Sequence, residues 1–297
     1  MRVINFGSLN VDYVYKVDHF LQPGETCAAL KREVCSGGKG LNQSVALAKA
    51  GVSVYHAGYA GSDGRFLVEL MKEKGVMTDY IRNSEESNGH AIIQVDKNGQ
   101  NCILLYPGTN HLLTEAYIDE ILAFADKDDV ILVQNETNLV GEIVRRAAEK
   151  GLRVAMNAAP MGEEVRSYPL EKLAWLFVNE IEGGMLSNET DPDKILRKLK
   201  ENYPKTEIVL TLGGDGAAVA GPDGIYRCSA FHVKPIDTTA AGDTFTGFYL
   251  EGRLKGKDIT ASAKWASAAS AIAIQRPGAA DSIPSASEVK KETELLC

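Results

Sequence analysis

A chain of 297 residues with 44% hydrophobic and 24% charged side chains has material for a full buried core, which excludes both a disulfide-stapled miniature and wholesale disorder. Its 32 Lys and Arg against 40 Asp and Glu give a net charge of −8, with no basic tract to track nucleic acid or an anionic membrane. The five cysteines (Cys27, Cys35, Cys102, Cys228, Cys297) are odd in number and never spaced as CxxC, which fits a reduced, cytoplasmic setting.

The chain enters an apolar strand-type run at residues 3–6 with no charged segment ahead of a long apolar stretch, so no signal peptide is expected. Residues 11–17 alternate with period two. A helical pattern over 41–50, closed by Gly51, leads into an apolar run at 52–59. Residues 89–106 read as a hairpin around Lys97-Asn98-Gly99, the Asn-Gly turn signal. With 11–17 it is expected to form a small antiparallel sheet apart from the main one, a lid taking in about 11–36 and 88–107.

Beyond the hairpin, helical patterns at 114–125, 139–150 (closed by Gly151) and 192–202 alternate with apolar runs at 130–133, 154–156, 175–178 and 208–212. Two helices, 241–253 and 258–275, follow. The Ala- and Ser-rich stretch 261–274 is interrupted by Lys264 and falls short of the ~20 residues a membrane span needs, so it reads as a buried helix. The alternation predicts an α/β fold, a doubly wound and mostly parallel sheet flanked by helices. With no repeat or long linker, residues 1–297 are expected to form one domain carrying the lid as an excursion.

Two segments carry chemistry. Ser36-Gly37-Gly38-Lys39-Gly40-Leu41-Asn42 precedes a helix, but a phosphate-binding P-loop needs four residues between its glycines and Ser or Thr after the Lys. Read alone, it is equally a tight turn with a solvated lysine. The first strand continues as Gly7-Ser8-Leu9-Asn10 and lacks the GxGxxG of a dinucleotide fold. In Asp237-Thr238-Thr239-Ala240-Ala241-Gly242-Asp243, small residues lead into a helix whose first amides, about Ala240 to Asp243, lack intrahelical acceptors and so form an anion site. Asp243 stands beside it as a base for a hydroxyl proton, the pairing that phosphoryl transfer to an alcohol requires. The plainer reading of Asp243 is a carboxylate favoured by the helix dipole.

With Gly7-Ser8-Leu9-Asn10-Val11-Asp12, Gly37 to Gln43, Asn157-Ala158-Ala159-Pro160, Asn179-Glu180-Ile181-Glu182, Thr211-Leu212-Gly213 and Asp237 to Gly247 in order, the chain resembles the ribokinase, or PfkB, family of carbohydrate kinases along nearly its whole length. The resemblance implies a ribokinase-like fold with a β-sheet lid and ATP-dependent phosphorylation of a sugar hydroxyl, with Mg²⁺. It points to a free furanose-type sugar, ribose first; another sugar, a ketohexose, a sugar derivative or a nucleoside is the alternative, and a non-catalytic sugar-binding regulator a further one.

Residue by residue, it assigns Asp243 as base and Ala240, Ala241 and Gly242 as anion hole. Asn10, Asp12, Gly38, Lys39, Asn42, Glu136 and Asp243 match the sugar site. In isolation Asp12 is a solvated strand charge and Glu136 a loop carboxylate. Asn179, Thr211, Leu212, Gly213, Gly242 and Ser267 match the nucleotide side, and Glu182 the Mg²⁺ element. The resemblance also implies a K⁺ held by Asp237, Thr239, Ala273, Arg276, Gly278 and Ser282, and a homodimer formed through the lid. Two departures bear on the sugar: Asn88-Gly89-His90 replaces a frequent Thr-Gly-apolar pattern, and Leu104-Leu105-Tyr106-Pro107 is bulky. His90 reads first as a satisfied strand histidine, and His19, His56, His111 and His232 show no metal spacing.

Overall fold

The computed structural model of the protein describes residues 1–295; Cys297 lies outside them. In chain order the first elements are β1 (Val3–Phe6), β2 (Asn10–Lys16), β3 (Lys31–Gly37), α1 (Lys39–Ala50), β4 (Val54–Gly61), α2 (Arg65–Glu73), β5 (Met77–Ser84), β6 (Gly89–Val95) and β7 (Asn101–Tyr106). Then come α3 (Glu115–Ala123), β8 (Val130–Gln134), α4 (Val140–Glu149), β9 (Arg153–Asn157), β10 (Trp175–Asn179), α5 (Glu180–Ser187), α6 (Pro192–Asn202) and β11 (Glu207–Thr211). The chain closes with β12 (Ala217–Ala220), β13 (Ile225–Cys228), α7 (Ala241–Leu254), α8 (Ile259–Ala273) and α9 (Ala286–Leu295).

The apolar runs all become strands of one sheet, ordered β13-β12-β11-β10-β9-β8-β1-β4-β5 and parallel from β11 to β5. Only the β11–β12 and β12–β13 pairings are antiparallel, so β12 alone runs against the other strands. Unbroken apolar runs are what a sheet covered on both faces requires. Val3, Val130 and Leu132 join one core layer with α1, α7 and α8, while Ile4, Ile131 and Val133 join the other with α3, α4 and α6. Strand order reverses at β1, which lies between β4 and β8, so a crevice opens at the carboxyl ends of these strands.

The glycine stops act as expected. After α1, Gly51 is left-handed (φ 89°), its N–H bonds Ala48 O and that of Val52 bonds Leu47 O, a Schellman motif. Val52 is thereby used to end the helix, so β4 starts at Val54 and not at 52. No helix among the described residues is long and apolar enough to cross a membrane.

The second sheet, β3-β2-β6-β7, corrects the expectation of a purely antiparallel lid. β2 with β3 and β6 with β7 are antiparallel, but β2 and β6 pair in parallel from Asn10↔Gly89 to Lys16↔Val95. Between them the chain runs through α1, β4, α2 and β5, the long crossover that parallel neighbours need. Helix α5 gave no periodic signal because Gly183-Gly184 disfavour helix by about 1 kcal/mol each. A reciprocal capping box between Asn179 and Glu182 starts it instead.

Candidate active site

Asp243, the residue expected to act as base, stands in the first turn of α7. Ala240 caps the helix in the left-handed conformation (φ 58°), and the first intrahelical bond runs from Thr244 N–H to Ala240 O at 2.8 Å. Ala240 stands outside the helix and the Ala241 N–H already donates to Thr238 O at 3.2 Å, which leaves the amides of Gly242 and Asp243 without intrahelical acceptors. A Cβ placed on Gly242 would meet nothing within 4 Å, so its backbone borders open space.

Asp243 is buried, and its carboxylate accepts from Asn42 Nδ2 at 3.0 Å and Gln43 Nε2 at 2.9 Å. Asn42 Oδ1 is buried with no partner. Both amides ride on α1, whose entry requires glycine. Gly38 has φ 95° and a Cβ there would sit 3.0 Å from Ser8 O; one on Gly40 would sit 2.2 Å from Ser8 N. Lys39 enters the same space. Burial opposes its charge, but Asp243, Glu136 and Glu182 together hold its ammonium above the ordinary value.

The residues expected on the sugar side lie where the lid joins the main sheet. Glu136, just beyond β8, accepts from the Lys39 amide at 2.8 Å and from the Ser8 hydroxyl. Burial pushes its carboxyl up, partly offset by Lys39. Asp12 lies over Gly37, where a Cβ would be 2.1 Å from its Oδ2. Asn10 is held by Asn110 Nδ2 at 2.7 Å, and both line a 210 Å³ cavity with Glu136, Asn135, His111 and Tyr106. Asn88 is a buried clasp: its amide donates to Leu9 O at 2.6 Å and accepts from Gly61 N at 3.0 Å. His90 packs against Tyr106 and Tyr13 and bonds Asn88 O, the satisfied strand histidine.

Two further cavities meet at α7. A polar one of 240 Å³ is lined by Lys39, Asn157, Asn179, Glu182, Gly242 and Asp243 among others. Burial pushes Glu182 up, although both its oxygens accept from Asn179. An apolar one of 410 Å³ is lined by Thr211, Gly213, Gly214, Phe231, Val233, Phe245, Ser267 and Ile274, with Ala241 and Gly242 at its inner end. Gly213 and Gly214 would place a Cβ in open space, a floor a flat ring can approach. Leu212, expected on this side, instead packs against the core layer formed with α3, α4 and α6.

The residues expected around a monovalent cation form a junction of two loops. Asp237 accepts from the Thr239 amide at 2.9 Å, its hydroxyl at 2.6 Å and the Gly278 amide at 2.9 Å. Burial raises the Asp237 carboxyl, but these three bonds bring it below its usual value. Ala273 ends α8, Arg276 pairs with Glu288 at 2.8 Å, and Ser282 Oγ donates to Ala279 O at 2.9 Å. Cys27, Cys35, Cys102 and Cys228 are free thiols.

Sequence reasoning missed Asn110, the supporting role of Gln43 and the 230–235 wall of the apolar cavity. Gln43 closes the motif Gly37 to Gln43 and was within reach; Asn110 lies in a single 3₁₀ turn (Gly108–His111) and the wall in irregular chain, neither with a period to read.

Residues 2–286 match the model of the pfkB family carbohydrate kinases. The chain is 34% identical over 292 residues to the ribokinase of Haemophilus influenzae, covering 95% of each. Among solved structures it is similar to ribokinase from Cryptococcus neoformans var. grubii in complex with ADP, with TM-score 0.86 and 31% identity over 98% of this chain and 99% of that one. It is also similar to Arabidopsis thaliana ribokinase complexed with ribose and ATP, with TM-score 0.85 and 25% identity over 98% and 97%.

Proposed function

Since the chain belongs to the pfkB family of carbohydrate kinases, we propose that it transfers the γ-phosphate of ATP to the 5-hydroxyl of D-ribose, giving D-ribose 5-phosphate and ADP. The observation that carries this reading is Gly242, which walls both the apolar cavity and the polar one that contains Asp243. A phosphoryl group at the free amides of α7 lies between nucleotide and base.

Asp243 accepts the hydroxyl proton as the sugar oxygen bonds to phosphorus and the bond to ADP breaks. The Gly242 and Asp243 amides, with the Lys39 ammonium, meet the charge on the phosphoryl oxygens. Asp12, Glu136, Asn10 and the unpartnered Asn42 Oδ1 are acceptors for the remaining sugar hydroxyls, and Gly38 lets the sugar close on the backbone. Thr211, Gly213 and Ser267 line the nucleotide side, with the adenine in the apolar cavity.

Glu182, buried and raised beside Asn179, suits a hydrated Mg²⁺, whose charge would favour its ionised form. Such an ion neutralises phosphate oxygens when bound. At the loop junction, the ionised Asp237, the Thr239, Ala273, Arg276 and Gly278 carbonyls and Ser282 Oγ are oxygen donors of the kind K⁺ takes. The apolar side chains exposed on the lid, Val34, Ile92, Ile103, Leu104 and Leu105, suit pairing of two copies. The free thiols suit the cytoplasm.

ADP release tests the reading across ribose, other pentoses, ketohexoses and nucleosides. Ribose is expected to give the highest kcat/KM. A ketohexose or nucleoside that exceeds it replaces the acceptor, and sugar binding without ADP release removes the catalytic assignment.

A further inference from the structure

Beneath Asp243 lies a buried row of polar side chains with no assigned part in the transfer. It starts at Gly7 O, a carbonyl that can only accept, so His56 Nε2 at 3.0 Å carries the hydrogen. Burial holds His56 down at about 4, so the ring is neutral and its Nδ1 accepts from the Ser44 hydroxyl at 2.9 Å. Ser44 Oγ in turn accepts from Asn5 Nδ2 at 2.8 Å, and the same NH₂ donates to Gly40 O at 2.8 Å. That fixes which way round the Asn5 amide lies.

Asn5 Oδ1 therefore faces Gln134 and accepts from its Nε2 at 3.0 Å, while Gln134 Nε2 also donates to Gln43 Oε1 at 2.8 Å. With its oxygen engaged, Gln43 can present only its NH₂ to Asp243 Oδ1, at 2.9 Å. All five side chains are buried, and none lines the cavities at Asp243. A flipped Gln43 would put an amide oxygen against a carboxylate away from water, a costly contact.

We propose that this hydrogen-bond chain, which runs outward from Gln134 Nε2 to Gly7 O on one side and to Asp243 on the other, is a positioning device for the base: His56 and Gln134 act through Gln43 to hold the Asp243 carboxylate in the orientation that receives the sugar proton. The proposal rests on the reading of Asp243 as general base. It follows from polarity: Gly7 O and the carboxylate at the two ends can only accept, so the side chains between them are oriented outward from Gln134 Nε2, which donates both ways. A row that served packing alone would tolerate apolar replacements of equal volume.

Gln43→Met and Gln134→Met keep volume and remove polarity. Each is expected to lower kcat ~10–100-fold, with KM for sugar and ATP within about twofold of wild type, because the base is misplaced and the binding groups are not. The double variant is expected to lose no more than Gln43→Met alone, since the links act in series. Wild-type kcat in folded Gln134→Met, or losses that multiply in the double variant, overturns the chain. If the methionine variants do not fold, Ser44→Ala removes one link with little loss of volume: a several-fold fall in kcat at unchanged KM supports the proposal, and unchanged kcat overturns it. Asp243→Asn measured alongside separates the two readings. If it stays active the base assignment fails; if it is inactive while Gln134→Met is not, the base stands and the chain fails.

Discussion

Asp12, on lid strand β2, lies close enough to Glu136, just beyond main-sheet strand β8, to feel its charge, and among the described residues nothing donates a hydrogen bond to the Asp12 carboxylate. Burial, with the negative charge of Glu136 adding to it, raises Asp12 to about 7. Two carboxyls crowded this way oppose the stability of the empty fold, and sugar hydroxyls are the donors that would relieve them.

Sugar binding is therefore expected to favour the ionised form of Asp12, so that sugar KM rises as pH falls below about 7 and the trend is absent in Asp12→Asn. The stability sign is the reverse of a salt-bridged carboxylate. With an unfolded value of 3.8 and a folded value of about 7, folding takes up a proton, and the sugar-free protein loses stability as pH rises through that window. Asp12→Asn is expected to melt higher than wild type at pH 8 without sugar and to bind ribose poorly. A variant that melts lower, or keeps wild-type affinity in calorimetry, contradicts this account.

Asp243→Asn keeps the shape of the base and removes its capacity to take a proton. Turnover is expected to fall ~10²–10⁴-fold while ATP binding persists. Near-normal turnover on a verified sugar would remove Asp243 from its role.

Gly242 separates stability from activity more sharply. It sits in the first turn of α7, and a Cβ there meets no atom within 4 Å. Gly242→Ala is thus expected to stabilise the fold by up to about 1 kcal/mol through helix propensity. The new methyl would stand where the two cavities meet, so ATP turnover is expected to drop at least tenfold, roughly 1.4 kcal/mol of lost transition-state stabilisation. A thermal melt and a turnover assay on one preparation check both halves.

How much of this was legible from sequence depends on how each contact is made. Gly38, Lys39, Asn42 and Asp243 sit at helix entries, where glycines and small residues leave a local pattern. Asn5 and His56 are single polar residues inside apolar strands and carry no pattern of their own; their meaning comes from neighbours 35 and 12 residues away, Gly40 and Ser44. The contact of Asn42 with Asp243 spans 201 residues. Period-two alternation and the Asn-Gly turn marked the lid. Its parallel β2–β6 pairing was hidden, because it depends on the path the chain takes through the main domain between those strands.

The lid itself can be tested through Leu104. Its side chain is 67% exposed on the edge strand β7, beside exposed Ile103 and Leu105, an apolar edge of the kind that soluble monomers blunt with charge. If two copies pair there, Leu104→Glu is expected to convert a dimer into a monomer in light scattering. A wild type that is already monomeric at micromolar concentration would dispose of the lid dimer.

The loop junction at Asp237 yields the last test. Asp237 already links the two loops directly through the Gly278 amide, and Ile274 O accepts from the Ile236 and Asp237 amides at 2.7 and 3.2 Å. A cation is therefore not needed to bring the loops together. Its effect would be on the charge and rigidity of the turn that ends in left-handed Ala240, and so on the aim of the Gly242 and Asp243 amides. Replacing K⁺ by tetramethylammonium at constant ionic strength is expected to lower kcat, with ATP binding less affected. Asp237→Asn, which keeps most of the hydrogen bonding but removes the charge, is expected to abolish that response. If wild-type kcat does not change with the cation, the direct Asp237–Gly278 link suffices and no cation site is required.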